Sequence, residues 1–305
     1  MKNFIVLVLA SMSFLNANIV GAVEEGIKPI QEIFEPQTPS SPEKFVKVAV
    51  VQWAPPVAPL NTTLKDAEAF KQINRETIAM QVAEAAAKGA KWVLSSEMSV
   101  VGYPSHPELP PADENFLTRE EILPYVETIP GPTTKYLGEV AKKHKVYIQV
   151  GLAEIDSRTQ KLYNVAVLID PKGKVALKHR KWNLFHVETA YFTPGTEVNV
   201  FNSEIGNYAM LVCADVYDSK LLAQYKKSGV KVLGLTTSWA QMNTGMTYFK
   251  KAAINTQSYL MAANQPYFPD SGVINPNGSL QSHIRQTDGI AYGYIPLAVK
   301  TEQAQ

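Results

Sequence analysis

Apolar residues fall along the chain in two kinds of block. Val46 to Gln52, Lys91 to Leu94, Val146 to Gly151, Tyr208 to Val212 and Val230 to Thr236 are short runs rich in Val and Leu, bounded by turn formers. Such runs predict strands buried on both faces. Between them lie Asp66 to Lys88, Thr133 to His144, Ser219 to Ser228 and Thr247 to Met261, longer stretches dominated by Ala, Glu, Gln, Lys and Thr. These predict helices, and Gly89 is placed to end the first of them. Tyr163 to Asp170 and Lys174 to Lys178 predict a hairpin around Pro171-Lys172-Gly173. Val273-Ile274 and a strand pair near Ile290 to Leu297 complete the set. Strands alternating with helices mean an α/β fold, and strands joined by short turns require a mixed sheet. No internal repeat or second-domain linker interrupts residues 45–305, which predicts one domain.

The pattern before residue 45 is different. Met1-Lys2-Asn3 is a short positive start, Phe4 to Leu15 is an apolar run of 12 residues, and Val20-Gly21-Ala22 supplies small residues at a cleavage position. This is the layout of a secretory signal over residues 1–22. Twelve residues of helix span roughly 18 Å against a hydrocarbon core of about 30 Å, so a stable membrane anchor is not expected. Residues 23–44 hold four prolines and read as a surface arm. The sequence therefore predicts an exported protein, periplasmic or extracellular.

Composition narrows the chemistry. The 305 residues carry 29 Lys+Arg against 28 Asp+Glu, a net charge of +1, which gives no general drive toward nucleic acid or an anionic membrane. A single cysteine excludes a disulfide scaffold, a zinc finger and a Cys-ligated iron–sulfur cluster. The five histidines, His106, His144, His179, His186 and His283, form no HExxH and no close pair, so no metal site is expected, although carboxylate sites stay open.

Three reactive residues share one setting, the carboxyl end of an apolar strand or hairpin: Glu97 after Lys91 to Leu94, Lys181 after Val175 to Lys178, and Cys213 after Tyr208 to Val212. Open α/β sheets gather active sites there, and a strand–Cys–helix turn leaves backbone N–H groups free to stabilise an oxyanion. A thiol needs a base or a nearby cation to act at neutral pH. Glu97 is a candidate to accept the thiol proton and pass it to a leaving amine, with Lys181 as the cation facing the oxyanion. A structural, buried cysteine is the alternative.

Several stretches, in order, resemble the nitrilase, or carbon–nitrogen hydrolase, superfamily: Val48 to Gln52, Ser96-Glu97 with Gly102-Tyr103-Pro104, Leu162 to Val167 with Arg180-Lys181, Tyr191 to Gly195, Leu211 to Asp215, Ala262 to Gln265 and Asn275 to Gly278. The resemblance implies a four-layer α-β-β-α sandwich with mixed sheets and no metal or organic cofactor. It implies Glu97 as base, Lys181 as oxyanion stabiliser, Cys213 as nucleophile, Glu188 as a supporting carboxylate and the Ala214 amide as second oxyanion donor. By analogy it implies a homo-oligomer.

Two positions depart from the family pattern. Ser96 stands where a proline usually precedes the glutamate, and Asn183 stands where many members carry histidine. Lys181 to Phe185 followed by Glu188 is similar to the vanin and biotinidase branch, and Trp239 with Met242-Asn243 loosely echoes it, although the many cysteines of that branch are missing. Tyr103, Trp239 and Tyr191 are candidate walls of the substrate pocket, since aromatics combine apolar area with a polar tip. The expected substrate is a small non-peptide linear amide. Pantetheinase- or biotinidase-like hydrolysis, nitrile hydrolysis, N-acyl transfer and a non-catalytic exported binding protein remain alternatives.

Overall fold

Two sheets and four helices of two or more turns make up the protein in the computed structural model, which describes residues 33–34, 36–106, 115–239, 245–265, 270–285 and 288–298. The first sheet contains β2 (Phe45–Gln52), β3 (Trp92–Leu94), β4 (Tyr147–Ile155), β5 (Leu162–Ile169), β6 (Val175–Arg180) and β13 (Gly289–Pro296), in the order β13-β2-β3-β4-β5-β6. The second contains β1 (Ile33–Phe34), β7 (Phe201–Ser203), β8 (Gly206–Val212), β9 (Val232–Thr237), β10 (Tyr259–Asn264), β11 (Ser271–Ile274) and β12 (Leu280–Ile284), in the order β1-β12-β11-β10-β9-β8-β7. Each sheet has parallel pairs at its centre, β2–β3–β4 and β8–β9–β10, and antiparallel pairs outside them. Both are therefore mixed.

Side chains alternate along each strand, and the two faces find different partners. Val46, Val48 and Val50 of β2 and Tyr208, Met210 and Val212 of β8 face the space between the sheets. Ala49 and Val51 point the other way, onto Ile78, Val82 and Ala85 of α1 (Leu64–Ala87) and Leu137 and Ala141 of α2 (Pro132–His144). On the far side, Ala209 and Leu211 meet Leu221, Leu222 and Tyr225 of α3 (Ser219–Lys227) and Phe249, Ala252 and Ala253 of α4 (Gly245–Thr256). Burial on both faces explains why these strands read as unbroken apolar runs. The layers are helix, sheet, sheet, helix.

Two sequence expectations are corrected. The helix predicted over Thr247 to Met261 ends at Thr256, because Gln257 takes a left-handed φ of 57°. The chain then forms β10, whose Tyr259 to Asn264 pair in parallel with Val232 to Thr237. Met261, Ala262 and Ala263 suit a helix, but burial between two layers decides for the strand. The strand pair predicted near Ile290 to Leu297 is one strand, β13, antiparallel to β2 along its whole length from Gly289↔Gln52 to Pro296↔Phe45. Within the Pro-rich arm, Ile33 and Phe34 add to the edge of the second sheet beside Ile284 and His283. The segment 1–22, the first part of the arm and Met242-Asn243 lie outside the described residues.

Candidate active site

Three strand ends from the two sheets converge on one buried cluster. Glu97 lies just beyond β3 in a loop that bridges the sheets: Ser95 N–H donates to the Gln149 carbonyl at 2.9 Å, and Gln265 Nε2 of the second sheet donates to the Glu97 carbonyl at 2.7 Å. A glycine in β4 makes this approach possible. A Cβ on Gly151 would lie 2.7 Å from the Ser96 carbonyl oxygen and 2.9 Å from the Glu97 Cα. Ser96, in place of the usual proline, donates its hydroxyl to the Trp53 carbonyl at 2.9 Å. Lys181 follows β6 directly, its amide held by the Asn164 carbonyl at 2.9 Å and its carbonyl by the Gly195 amide at 2.7 Å. Cys213 directly follows β8.

Lys181 Nζ donates to Glu97 Oε1 at 2.9 Å and to Glu188 Oε2 at 2.7 Å. Asn164 Nδ2 joins the same two carboxylates, at 2.8 Å each. The Ser238 amide donates to Glu97 Oε2 at 2.9 Å, and the Phe185 amide donates to Glu188 Oε2 at 2.8 Å. Glu97, Lys181, Glu188 and Asn164 are each no more than 2% exposed. Burial pushes the Glu97 carboxyl above the usual glutamate range, with Lys181 and Asn164 offsetting part of the rise. Burial also works against the Lys181 charge, yet Glu188 and Glu97 together hold the ammonium well above the usual lysine range. The cluster thus combines a permanent cation with a carboxylate of increased proton affinity.

Cys213 is half-buried and takes a left-handed φ of 44° between an extended Val212 and the rest of the 3₁₀ turn Cys213–Tyr217. A non-glycine residue held there stores on the order of 1–3 kcal/mol of strain, the mark of a nucleophile elbow. Burial pushes the thiol up to about 12, Glu97 adds to the rise, and Lys181 and Thr237 pull against it. The resting cysteine is therefore a thiol whose proton needs an acceptor. Ala214 is the second residue of the turn, where backbone N–H groups have no intrahelical acceptor.

Asp215 locks the elbow to the lysine segment. Its Oδ1 accepts the Trp182 and Asn183 amides, at 2.9 Å each, and its Oδ2 accepts the Val212 amide at 3.0 Å and faces His179 Nε2 at 2.8 Å. Asn183 donates its side-chain amide to the Ala214 carbonyl at 3.3 Å. An asparagine at 183 therefore serves as a strut between the two segments.

The predicted walls are distributed around this cluster. Tyr103 is buried, and its hydroxyl is pushed well above the usual tyrosine range by burial and then by the charges of Glu97 and Glu188. Tyr191 lies close to the same carboxylates and donates to Asn115 Oδ1 at 2.6 Å. Trp239 follows Ser238 and packs into the outer core against Phe249, ring centroids 5.7 Å apart, so much of it is structural. Tyr217, absent from the sequence expectations, is 45% exposed and stands beside the thiol, in ring contact with Trp239 at 6.0 Å. Asn164, Asp215 and the Ser238 amide are likewise site groups that sequence reasoning does not find. Among the described residues, no three His, Cys, Asp or Glu side chains gather so as to hold a metal ion.

The profile of the carbon–nitrogen hydrolase family matches residues 47–305. The chain belongs to that family. A nitrilase of Pyrococcus abyssi is 34% identical over 173 residues, which is 56% of this chain and 56% of that protein. The match thus spans just over half of that relative's length. An omega-amidase of Bos taurus is 27% identical over 201 residues, 59% of this chain and 72% of that protein. Among solved structures, an amidase from Nesterenkonia sp. superposes with a TM-score of 0.65 at 21% identity, covering 82% of this chain and 90% of that one. That likeness shows the nitrilase-type sandwich. Carbon–nitrogen hydrolases cleave C–N bonds other than peptide bonds, and the residues converging at the strand ends here are the ones to which the family resemblance assigns catalysis.

Proposed function

We propose that this protein hydrolyses a small non-peptide linear amide through a thioester on Cys213. Glu97 takes the thiol proton as Sγ attacks the carbonyl carbon, and the carbonyl oxygen becomes an oxyanion facing Lys181 Nζ and the Ala214 amide. Collapse breaks the C–N bond as Glu97 returns its proton to the departing nitrogen. Water then attacks the thioester, Glu97 takes its proton, and the C–S bond breaks as Glu97 returns that proton to the departing sulfur, leaving the acid as product and restoring the Cys213 thiol and the Glu97 carboxylate. The observation that carries this reading is Lys181 held between Glu97 and Glu188 at 2.9 and 2.7 Å beside a thiol on a left-handed turn. Donors fixed in advance around a developing charge commonly contribute more to the rate of acyl transfer than any other single effect.

Nitrile hydrolysis is the second reading, favoured by the name of the Pyrococcus relative; the same thiol would add to the nitrile carbon. We also propose export. The apolar run Phe4 to Leu15 followed by Val20-Gly21-Ala22 supports it, and N-terminal sequencing of exported protein would find a start near Val23. The test of activity is ammonia or amine release from aliphatic amides, N-carbamoyl amines, pantetheine, biotinyl amides and nitriles. Turnover of one class that vanishes in Cys213→Ala supports the proposal. No turnover of any class, together with a thiol inert to alkylation, overturns it.

A further inference from the structure

The two ends of the sandwich differ in charge. Glu97, Cys213, Ser238 and Gln265 follow the carboxyl ends of parallel strands, at the pole that holds the candidate site. The amino ends of those strands form the other pole, and lysine gathers there. In the first sheet the Lys91 amide donates to the Lys47 carbonyl and the Tyr147 amide to the Lys91 carbonyl, at 2.8 Å each, so β2, β3 and β4 start side by side. Lys145 stands just before the third of these strands. In the second sheet the Lys231 amide donates to the Asn207 carbonyl at 2.8 Å, and the Lys231 carbonyl accepts the Tyr259 amide at 2.9 Å, which aligns the starts of β8, β9 and β10. Trp92, the first residue of β3, donates its indole N–H to Glu204 Oε1 at 3.0 Å beside the start of β8, joining the two rows into one face.

Helix ends and a turn add to that face. Lys88 closes α1 and shares the Tyr292 ring with Lys47, their ammonium groups 5.5 and 4.5 Å from its centroid. α2 finishes on Lys142, Lys143 and His144. The hairpin turn carrying Lys172 and Lys174 presses on that helix, since a Cβ on Gly173 would meet the Gly138 carbonyl oxygen and Lys142 Cε at 2.6 Å each. α3 finishes on Lys226 and Lys227, just before β9. Apart from half-buried Lys47, these lysines are exposed. The acids at this end, among the described residues, are Glu84 and Glu139 beside Lys88 and Lys142, Asp170 beneath the hairpin turn, and Glu43 and Glu204 near the strand starts. Lysine outnumbers them by about two to one. The chain as a whole carries only +1, so the rest of the molecule holds the compensating negative charge. Attraction to helix dipoles accounts for the lysines that end α2 and α3. It does not account for Lys47, Lys91, Lys172, Lys174 and Lys231, which lie at strand starts and in a turn.

We infer that this lysine pole docks the protein onto a bilayer surface bearing anionic phospholipid, with the opposite pole and Cys213 turned toward solution. Lysines spread over the ends of all four layers match phosphates that lie in a plane. Nucleic-acid strands are instead tracked along a groove and held by arginine and exposed aromatic rings; among the described residues this pole presents lysine without arginine. Each lysine near an anionic surface adds to the attraction, which decays within a Debye length of about 10 Å at 0.1 M salt. A net charge near zero conceals such a face, because attraction at this range depends on the nearest charges and not on the total.

Co-sedimentation of the full chain with vesicles tests this. Vesicles of equal parts phosphatidylglycerol and phosphatidylcholine are compared with vesicles of phosphatidylcholine alone. The expected result is binding to the mixed vesicles at least about tenfold tighter, and its loss in about 1 M salt, where the Debye length is about 3 Å. Lys143→Glu combined with Lys172→Glu should weaken that binding at least about tenfold, as should Lys226→Glu combined with Lys227→Glu. Lys65→Glu combined with Lys161→Glu makes the same change of charge at the other pole, where α1 begins and β4 turns into β5, and should leave binding unchanged. A thermal melt of each variant separates loss of fold from loss of binding. Lysine acetylation read by peptide mass should show Lys143, Lys172 and Lys231 protected on the mixed vesicles and Lys65 and Lys161 still reactive. Equal binding to both kinds of vesicle, equal losses from the variants of the two poles, protection of Lys65 and Lys161 instead, or retention by duplex DNA without binding to the mixed vesicles would each overturn the inference.

Discussion

Among the described residues, two clusters of lysine and glutamate that reach into the interior are built for different ends. On α1, Lys71 and Arg75 are almost wholly buried. Lys71 pairs with Glu68 at 3.0 Å and lies 3.7 Å from Glu127, while Arg75 reaches Glu68 at 2.5 Å and the Thr133 hydroxyl at 3.1 Å. Glu127 in turn receives the Thr133 amide at 2.7 Å and its hydroxyl at 2.6 Å, fixing the start of α2 against α1. Two cations face two carboxylates. Burial works against the Glu68 charge, but Arg75 and Lys71 outweigh it and hold that carboxyl below the usual range. In the cluster of Glu97, Lys181 and Glu188, one cation faces two carboxylates, a thiol adjoins them, and burial raises Glu97 instead. A balanced cluster fastens two helices, whereas an unbalanced one places a carboxylate of raised proton affinity beside a thiol.

The largest effect that separates the two concerns Cys213. Cys213→Ala is predicted to lower kcat/KM by at least about 10⁴-fold while the protein still folds, checked by steady-state kinetics beside a thermal melt. Glu97→Gln is predicted to cost about 10²- to 10⁴-fold in kcat, the usual range for a general base. Its stability should change little, because the Lys181 charge keeps Glu188 as partner. The α1 cluster should behave in the opposite way. Glu127→Ala leaves the buried Thr133 amide and hydroxyl without their acceptor and Lys71 with Glu68 as its carboxylate, and urea titration should show a loss of about 1–3 kcal/mol with kcat/KM of the folded enzyme unchanged. A Glu127 variant that lost activity without losing stability would break the comparison.

The smallest effect is in the pH profile. Glu97 must be unprotonated to act, and its affinity for the proton is raised, so kcat/KM should climb with pH through a limb lying above the ordinary glutamate value of 4.5. Lys181 must be protonated, and its carboxylate partners hold it well above the ordinary lysine value of 10.5, so activity should not fall as pH passes that value through loss of this charge. An acid limb at or below 4.5 would argue against Glu97 as the base.

The layered fold is legible in the sequence because strands buried on both faces leave continuous apolar runs, and Glu97, Lys181 and Cys213 stand out as reactive residues at the ends of such runs. Tyr259 to Met261 misleads because Leu260 and Met261 suit a helix as readily as a strand, and their pairing with Leu233 and Gly234 is a tertiary fact. Asn164 sits within β5, where its only trace is one amide in an apolar stretch. Asp215 shows as an acidic residue two after the cysteine, with nothing local to reveal that it caps three backbone amides of two segments. Ser238 contributes its backbone N–H, which leaves no mark on residue identity.

The central claim is that an acyl group passes through Cys213. Intact-mass analysis of protein quenched during turnover of an amide substrate tests it most directly. The account predicts a mass increase equal to the acyl group, localised to Cys213 and absent in Cys213→Ala. Undiminished turnover by Cys213→Ala, or an adduct on any other residue, would contradict it.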